Sequence, residues 1–402
     1  VTDLQKYDLY SADFKKHAYD IYGRLRSEHP IRLHQGLQVP IWFVTGYEEA
    51  RLILADHKRF VKDARQAATP EQLAQSPSTP PEFDLINNHM LNLDPPDHTR
   101  LRALVSKGFT HGRIQALRPR VQQIADELLD AVQQRGQMDL IDDYAFPLPI
   151  IVICELLGVP TADRDKFRLW SNAFIEIGTD PDTFMQLMME FVAYLGQMIA
   201  ARRAEPRDDL LSALILAEEA GDRLSEAELY SMMVLLLVAG HETTVNLIAN
   251  GVLALLQHPD QLALLQNDMA LLPQAIEEFL RYDGPVERAT TRFAAADVEI
   301  GGQLIHQGTP VIVVLAGAER DPRQFEHPDV LDITRNDNKH IGFGYGIHYC
   351  LGAPLARMEG EIAIGTLLQR IPNLRLTIPV EGMEYRLSTI VRGLKSLPVA
   401  WD

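Results

Sequence analysis

Cys350 stands near the end of Phe343-Gly344-Tyr345-Gly346-Ile347-His348-Tyr349-Cys350-Leu351-Gly352, a lone thiol delivered by a glycine-rich turn. An amphipathic helix is predicted behind it, from about Leu351 to Arg370. These residue types suit a thiolate that binds a metal. Glycines let backbone N–H groups approach a sulfur closely. A helix N-terminus adds partial positive charge, which lowers a thiol's pKa. N–H donors aimed at a metal-bound sulfur tune the metal's potential. An isolated Cys is more often a small buried hydrophobe. Cys154, in Ile150-Ile151-Val152-Ile153-Cys154, reads as that. Packing alone does not call for three glycines, a Phe and a His around a thiol.

A second constellation lies inside a long predicted helix, from about Ser225 to Gln257. Ser225 and Glu228 make a capping-box start, and His258-Pro259 marks the stop. Such a helix would run ~50 Å. Its middle, Leu235-Leu236-Leu237-Val238-Ala239-Gly240, is apolar nearly all round and should be buried. Gly240-His241-Glu242-Thr243-Thr244 follows at once. A glycine weakens a helix and a buried carboxylate needs a partner, so this stretch breaks local rules and marks a functional site. A mid-helix Thr can bond to a carbonyl one turn earlier and bend the helix. His241-Glu242 opens like a zinc-protease HExxH, but the fifth position is Val245, so the second ligand is missing.

The elements that must position these groups are mostly helices. They are expected at about Tyr47–Asp56, His98–Phe109, Gly112–Gln134, Ile141–Leu157, Asp163–Ile177, Pro181–Arg203 and Leu272–Tyr282. Ile31–Leu33 and Ile41–Thr45, around Gly36 and Pro40, read as a hairpin. Val298–Ile300, Gln303–Ile305, Pro310–Val314 and part of the last thirty residues read as further strands. The fold class is mainly α with small β-sheets (α+β). Arg65 to Phe83 shows no clean period and reads as a long loop.

The sequence has 402 residues and two Cys, which excludes a disulfide framework and any four-Cys zinc or iron–sulfur site. The reading is a single domain over 1–402 in a reducing cytoplasm. The first sixteen residues are polar, without a signal-peptide core, and the apolar run Met232–Gly240 is shorter than the ~20 residues of a bilayer span. A net charge of -17 argues against nucleic acid. The stretch from His98 to Ala125 nonetheless lacks acids and holds Arg100, Arg102, Lys107, Arg113, Arg118 and Arg120.

The Cys350 segment resembles the haem-binding signature of the cytochrome P-450 superfamily, Phe-x-x-Gly-x-His/Arg-x-Cys-x-Gly, at every fixed position. The likeness extends from the Ile31–Thr45 hairpin to Leu397-Pro398 and is greatest to soluble bacterial members. It implies haem b (iron protoporphyrin IX) with Cys350 as axial iron ligand and Phe343, Gly344 and Gly352 around the sulfur. Ala239 to Thr244 is similar to the family's acid–alcohol motif. The resemblance implies that Ala239 and Gly240 approach the cofactor, while Glu242 and Thr243 hold water and relay protons. Glu278-x-x-Arg281, with Arg335 downstream, resembles the family's structural ion triad. His98, Arg102, Arg292 and His348 match, in family order, the donors to the haem propionates. Leu235, Val238, Ala239, Ala289, Thr290, Ile390 and Val391 would line a pocket for an apolar substrate, closed by the 65–90 loop and by helices around Phe174 and Met185–Met189. One departure is Glu319-Arg320-Asp321, where many relatives carry Asn; it reads as distant from the haem motifs and harmless.

A thiolate ligand favours O–O cleavage. The resemblance therefore implies a monooxygenase of the oxidoreductase class, which activates dioxygen with two external electrons and hydroxylates or epoxidises its substrate, plausibly in secondary metabolism. No stretch is left over for a fused reductase. A separate ferredoxin or flavodoxin with its reductase is implied, docking on the acid-free basic stretch of a monomer. Two alternatives stay open: a peroxide-driven peroxygenase or a desaturating or coupling oxidase, and a non-catalytic haem sensor or carrier. The substrate's identity is not legible.

Overall fold

The computed structural model describes residues 7–9, 11–35, 39–75, 83–219 and 224–402. The chain divides into two compact units. One comprises 1–77, 246–350 and 368–401, and the other comprises 78–245 and 351–367 with the last residue.

The first unit holds the main sheet. Its strands lie in the spatial order Ile31–His34, Ile41–Val44, Pro310–Val313, Arg292–Ala294 and Phe60–Val61. Ile41–Val44 runs parallel to Pro310–Val313, and the other neighbours are antiparallel. The expected hairpin strands are present, with Gly36 outside the described residues. Val298–Ile300 and Gln303–Ile305 form a separate hairpin, and Arg375–Leu376 pairs with Pro398–Ala400. β-Branched and aromatic side chains from one sheet face, Val44, Val311, Val313 and Phe60 among them, form a core with Tyr47, Ile53 and Leu54 of the Tyr47–Ala55 helix. A helix not anticipated from sequence, Ala12–Glu28, packs Phe14, Ala18, Ile21, Tyr22 and Leu25 on Phe43, Val314 and Ala316. Ser11 Oγ caps it by accepting from Phe14 N at 3.1 Å.

The second unit is nearly all helix. Asp97–Ser106, His111–Val132, Arg164–Ile175 and Pro181–Ala204 match the expected spans closely. Ile141–Leu157 divides into a π-type turn, Ile141–Ala145, and a helix, Pro147–Leu157, with Pro147 at its first position, where its missing N–H costs nothing. The long loop expected from Arg65 contains short helices at Ala64–Ala67, Pro70–Gln75 and Asp84–Asn87, while 76–82 lie outside the described residues.

The long helix is Glu226–Gln257, 32 residues. Its capping box is closed in both directions: Ser225 N donates to Glu228 Oε2 at 2.7 Å, and Glu228 N donates to Ser225 Oγ at 3.2 Å. This helix and Pro181–Ala204 are long and apolar enough to cross a membrane by length and composition, which the count of contiguous apolar residues missed. Glu226–Gln257 is mostly buried within the protein and carries the buried polar residues His241, Glu242, Asn246 and Asn250, the mark of a core helix. Pro181–Ala204 packs Phe191 on Trp170 of the Arg164–Ile175 helix, the rings stacked 4.8 Å apart.

Replacing Ser225 by Ala should cost about 1 kcal/mol, and Ser225→Asp should recover most of it. Denaturant midpoints of the three proteins check this.

Candidate haem-thiolate site

In the first unit the thiol of Cys350 is exposed. Its N–H donates to the carbonyl of Phe343 at 2.9 Å, closing the loop on itself. Gly344 and Gly346 have φ of 77° and 75°, which side chains rarely adopt. A Cβ on Gly346 would also fall 2.5 Å from the carbonyl oxygen of Leu54, so the loop lies directly against the end of the Tyr47–Ala55 helix. The helix behind the sulfur is Ala353–Arg370. Cys154 differs in every respect: it is buried, and burial pushes its thiol up to about 12.

The loop is anchored upstream by a buried ion cluster. Glu278 Oε1 and Oε2 accept from Arg281 at 2.7 and 2.8 Å, and Oε2 also accepts from Arg335 Nε and Asn338 Nδ2, each at 3.1 Å. The Asp332 N–H adds a bond to Oε1 at 2.9 Å. Arg281 in turn donates to the carbonyls of Glu319, Pro328 and Val330. One carboxylate thus joins the Leu272–Tyr282 helix to the chain that leads into the Cys350 loop.

Glu319 is not remote from the loop, as the sequence suggested. It is buried, and its Oε1 accepts from Ile341 N at 2.6 Å, two residues before Phe343. Burial, aided by the nearby Glu278, holds its carboxyl well above the usual range, against the pull of the Ile341 N–H and Arg281. Nothing within a few residues of Glu319 signals a contact 22 positions away.

Arg292 opens its strand and is buried, with Nη1 donating to the carbonyl of Thr290 at 3.1 Å. Lys62, unremarked in the sequence, donates to Thr290 Oγ1 and to the carbonyl of Thr291, both at 2.7 Å. Ala289, Thr290 and His348 are half-buried. Of the expected wall residues at the C-terminal turn, Ile390 is 39 % exposed, but Val391 is buried at 4 %. The backbone of Val391 bridges to that of Val286.

In the second unit, Thr243 Oγ1 donates to the carbonyl of Ala239 at 3.1 Å, the bond expected one turn back. Ala239 is exposed and Leu235, Val238 and Thr243 are half-buried, a strip of surface along an otherwise buried helix. Gly240 is required by packing: an added Cβ would lie 2.8 Å from Ile153 Cγ1 of the Pro147–Leu157 helix. Glu242 is buried beside His241, whose Nδ1 lies 2.6 Å from the carbonyl of Leu237. His98 and Arg102 sit one turn apart on Asp97–Ser106, His98 buried and Arg102 half-buried. Gly352 directly precedes the Ala353–Arg370 helix.

One acid escaped the sequence reading. Glu359 is fully buried near Thr244, and burial raises its carboxyl well above the ordinary range, against the pull of the Thr244 hydroxyl. It shares the buried stripe of Leu355, Met358, Ile362 and Thr366, a periodicity that could have revealed it. The basic stretch is also less charged than it reads. Arg100 pairs with Glu228, Arg118 with Glu361 at 3.0 Å, and Arg120 with Glu155 at 2.7 Å.

These residues fit a metal that arrives with most of its own ligands. Among the described residues, no three His, Cys, Asp or Glu converge on a point where a bare ion could sit. A single exposed thiol on a fixed loop would supply one sulfur bond to a haem iron.

Because the folded-state pKa of Glu319 lies above its unfolded value, its stability contribution is complete below about 4.5 and lost as pH rises toward the folded value. Glu319→Gln, which needs no proton, should therefore gain on the wild type as pH rises above about 4.5. Melting temperatures of both proteins across pH 5 to 8 check the sign.

The comparisons agree with this geometry. A sequence profile of the cytochrome P-450 family matches residues 178–372. The chain is 48 % identical over 395 residues to the cytochrome P-450 monooxygenase PikC of Streptomyces venezuelae, covering 97 % of this chain and 92 % of that one. It is 42 % identical over 384 residues to the mycinamicin IV hydroxylase/epoxidase of Micromonospora griseorubida, 94 % of each. The structure of the tirandamycin C-bound monooxygenase TamI superposes with a TM-score of 0.89 at 44 % identity, covering 98 % of this chain and 99 % of that one. The chain therefore belongs to the cytochrome P-450 family: it is a haem-thiolate monooxygenase that works with a redox partner on a small-molecule substrate.

Proposed function

We propose that Cys350 holds iron protoporphyrin IX and that the enzyme hydroxylates or epoxidises a mostly apolar, secondary-metabolic small molecule. The observation that carries this reading is the exposed thiol of Cys350 on a loop closed by its own N–H. The bound haem supplies activation of dioxygen, with one atom leaving as water and the other entering the substrate.

The remaining work falls to this chain's own residues. Thr243, fixed to the carbonyl of Ala239, presents a hydroxyl on the strip of helix surface formed with Ala239, Leu235 and Val238. Its oxygen can pass a proton outward while Glu242, one residue earlier, supplies an acid–base group. Glu359, whose carboxyl burial raises well above the ordinary range beside Thr244, is a further acid in the same unit. His98, Arg102, Arg292 and His348 are assigned to the propionates by motif order, since cationic and N–H donors suit carboxylates. Ala289, Thr290 and Ile390 are assigned to the substrate wall. Mycinamicin IV, named for one relative, and tirandamycin C, bound to another, support a secondary-metabolic small-molecule substrate.

Electrons come, on this reading, from a ferredoxin or flavodoxin with its reductase. Of the basic stretch, Arg113 is an exposed cation, whereas ion pairs occupy Arg100, Arg118 and Arg120. Two free cysteines fit a reducing cytoplasm, and the enzyme is assigned as a monomer.

The reduced, carbonyl-bound protein should show the strongly red-shifted Soret band of thiolate ligation, and Cys350→Ala should lose it. Thr243→Ala should keep consuming electrons while product per electron pair falls, by a factor on the order of 10² if the proton relay is lost. Peroxide-driven turnover equal to turnover with donor and dioxygen would favour the peroxygenase alternative. Salt and Arg113→Glu should each slow reduction by an acidic ferredoxin. Stopped-flow rates that ignore both would exclude this docking face.

A further inference from the structure

A second buried charge cluster of the first unit gathers around Glu287. Lys15, on the Ala12–Glu28 helix, is completely buried and donates to the equally buried Glu287 Oε2 at 2.5 Å. It also donates to the carbonyl of Val391 at 3.3 Å. Tyr22, two turns along the same helix, donates to Glu287 Oε1 at 2.5 Å and accepts from Arg288 Nε at 3.0 Å. Arg288 reaches Glu287 at 3.2 Å. Arg392 donates to the carbonyl of Lys15 at 2.6 Å and to Asp283 Oδ1 at 2.7 Å, and Tyr19 adds a bond to the same Asp283 oxygen at 2.8 Å.

The groups gripped by this helix belong to two segments joined by backbone bonds. Glu287 N donates to the carbonyl of Ile390 at 2.8 Å, Arg288 N to the same carbonyl at 3.2 Å, and Arg392 N to the carbonyl of Pro285 at 2.9 Å. One segment continues into Ala289 and Thr290, and the other presents Ile390 at its tip. Burying a Lys and a Glu costs several kcal/mol per ion before pairing, so a dry ion pair is a poor way to gain stability alone. It does fix position, because neither partner can leave the other without stranding a charge.

We infer that Lys15 is a positioning residue for the substrate: through Glu287 and the Val391 carbonyl, the N-terminal helix sets the spacing of the 286–290 and 390–392 segments. This rests on the assignment of Ala289, Thr290 and Ile390 to the substrate wall. Lys15 touches neither substrate nor haem; it acts through the segments that do.

The test uses the haem-loaded protein and two azole probes whose nitrogen binds haem iron. Imidazole is too small to read the walls, whereas clotrimazole is bulky and apolar. Spectral titration gives a Kd for each. The double variant K15M/E287Q, which removes both charges together, should change the clotrimazole-to-imidazole Kd ratio by roughly fivefold or more, mostly through clotrimazole. Tyr22→Phe, a milder change, should move the ratio in the same direction. Leu25→Ala loosens the same helix in its apolar contacts and leaves Lys15 in place; it should lower the melting temperature without moving the ratio. A ratio unchanged within about twofold in both cluster variants, or shifted equally by Leu25→Ala, overturns the inference. Loss of any spectral response to both azoles in the wild type would instead overturn the haem assignment beneath it.

Discussion

The carboxylate of Glu278 is the joint on which the thiolate loop depends. It is completely buried, and five hydrogen bonds reach it from Arg281, Arg335, Asn338 and the Asp332 N–H. The count matters because an ion taken out of water costs several kcal/mol unless its lone pairs are filled. Arg281 spends its remaining donors on the carbonyls of Glu319, Pro328 and Val330, which belong to an irregular stretch with few backbone partners of its own. A chain without sheet or helix ladders is thereby given fixed coordinates. Cys350, some twenty residues further on, inherits that rigidity through the Ile341 N–H on Glu319 and the Phe343 carbonyl on its own N–H.

The same unit uses charge in two ways. Glu278 and Glu287 are acids surrounded by cations, and Arg288, Lys15 and Arg392 hold Glu287 below the ordinary range despite its burial. Glu319 keeps Arg281 nearby but gains only one N–H at its carboxyl, so burial wins and holds the carboxyl well above the ordinary range. Two buried acids within one cluster thus differ in their donors. Like-charge repulsion from Glu278 adds to the upward push on the Glu319 carboxyl.

What was legible in the sequence follows the range of the interactions involved. The capping box at Ser225, the proline stop after Gln257 and the helix Leu272–Tyr282 are set by neighbours within one or two turns, and their boundaries were read closely. The Cys350 loop was legible because its glycines and its closing bond lie within ten residues. Ala12–Glu28 was missed because Lys15, which reads as a solvated charge, faces inward to a partner 272 positions away. Glu319 was misjudged for the same reason. Gly240 stood out as a break in the helix, but the side chain that demands it, Ile153, lies on a different helix. Arg100, Arg118 and Arg120 looked like a free basic patch because their acids, Glu228, Glu361 and Glu155, come from outside the stretch.

The long-range charges also explain why the reaction class was readable and the substrate was not. The chemistry needs one thiolate, one hydroxyl and one acid at fixed sequence spacings, and local rules preserve those spacings. The walls depend on where whole segments are placed. In this chain Ile390 and Ala289 are held by backbone bonds between segments a hundred residues apart, and those segments are gripped by a helix from the other end of the sequence. On the proposed assignment of Ile390 and Ala289 to the substrate wall, a change at Lys15 or Tyr22 reshapes that wall while leaving every recognisable motif untouched.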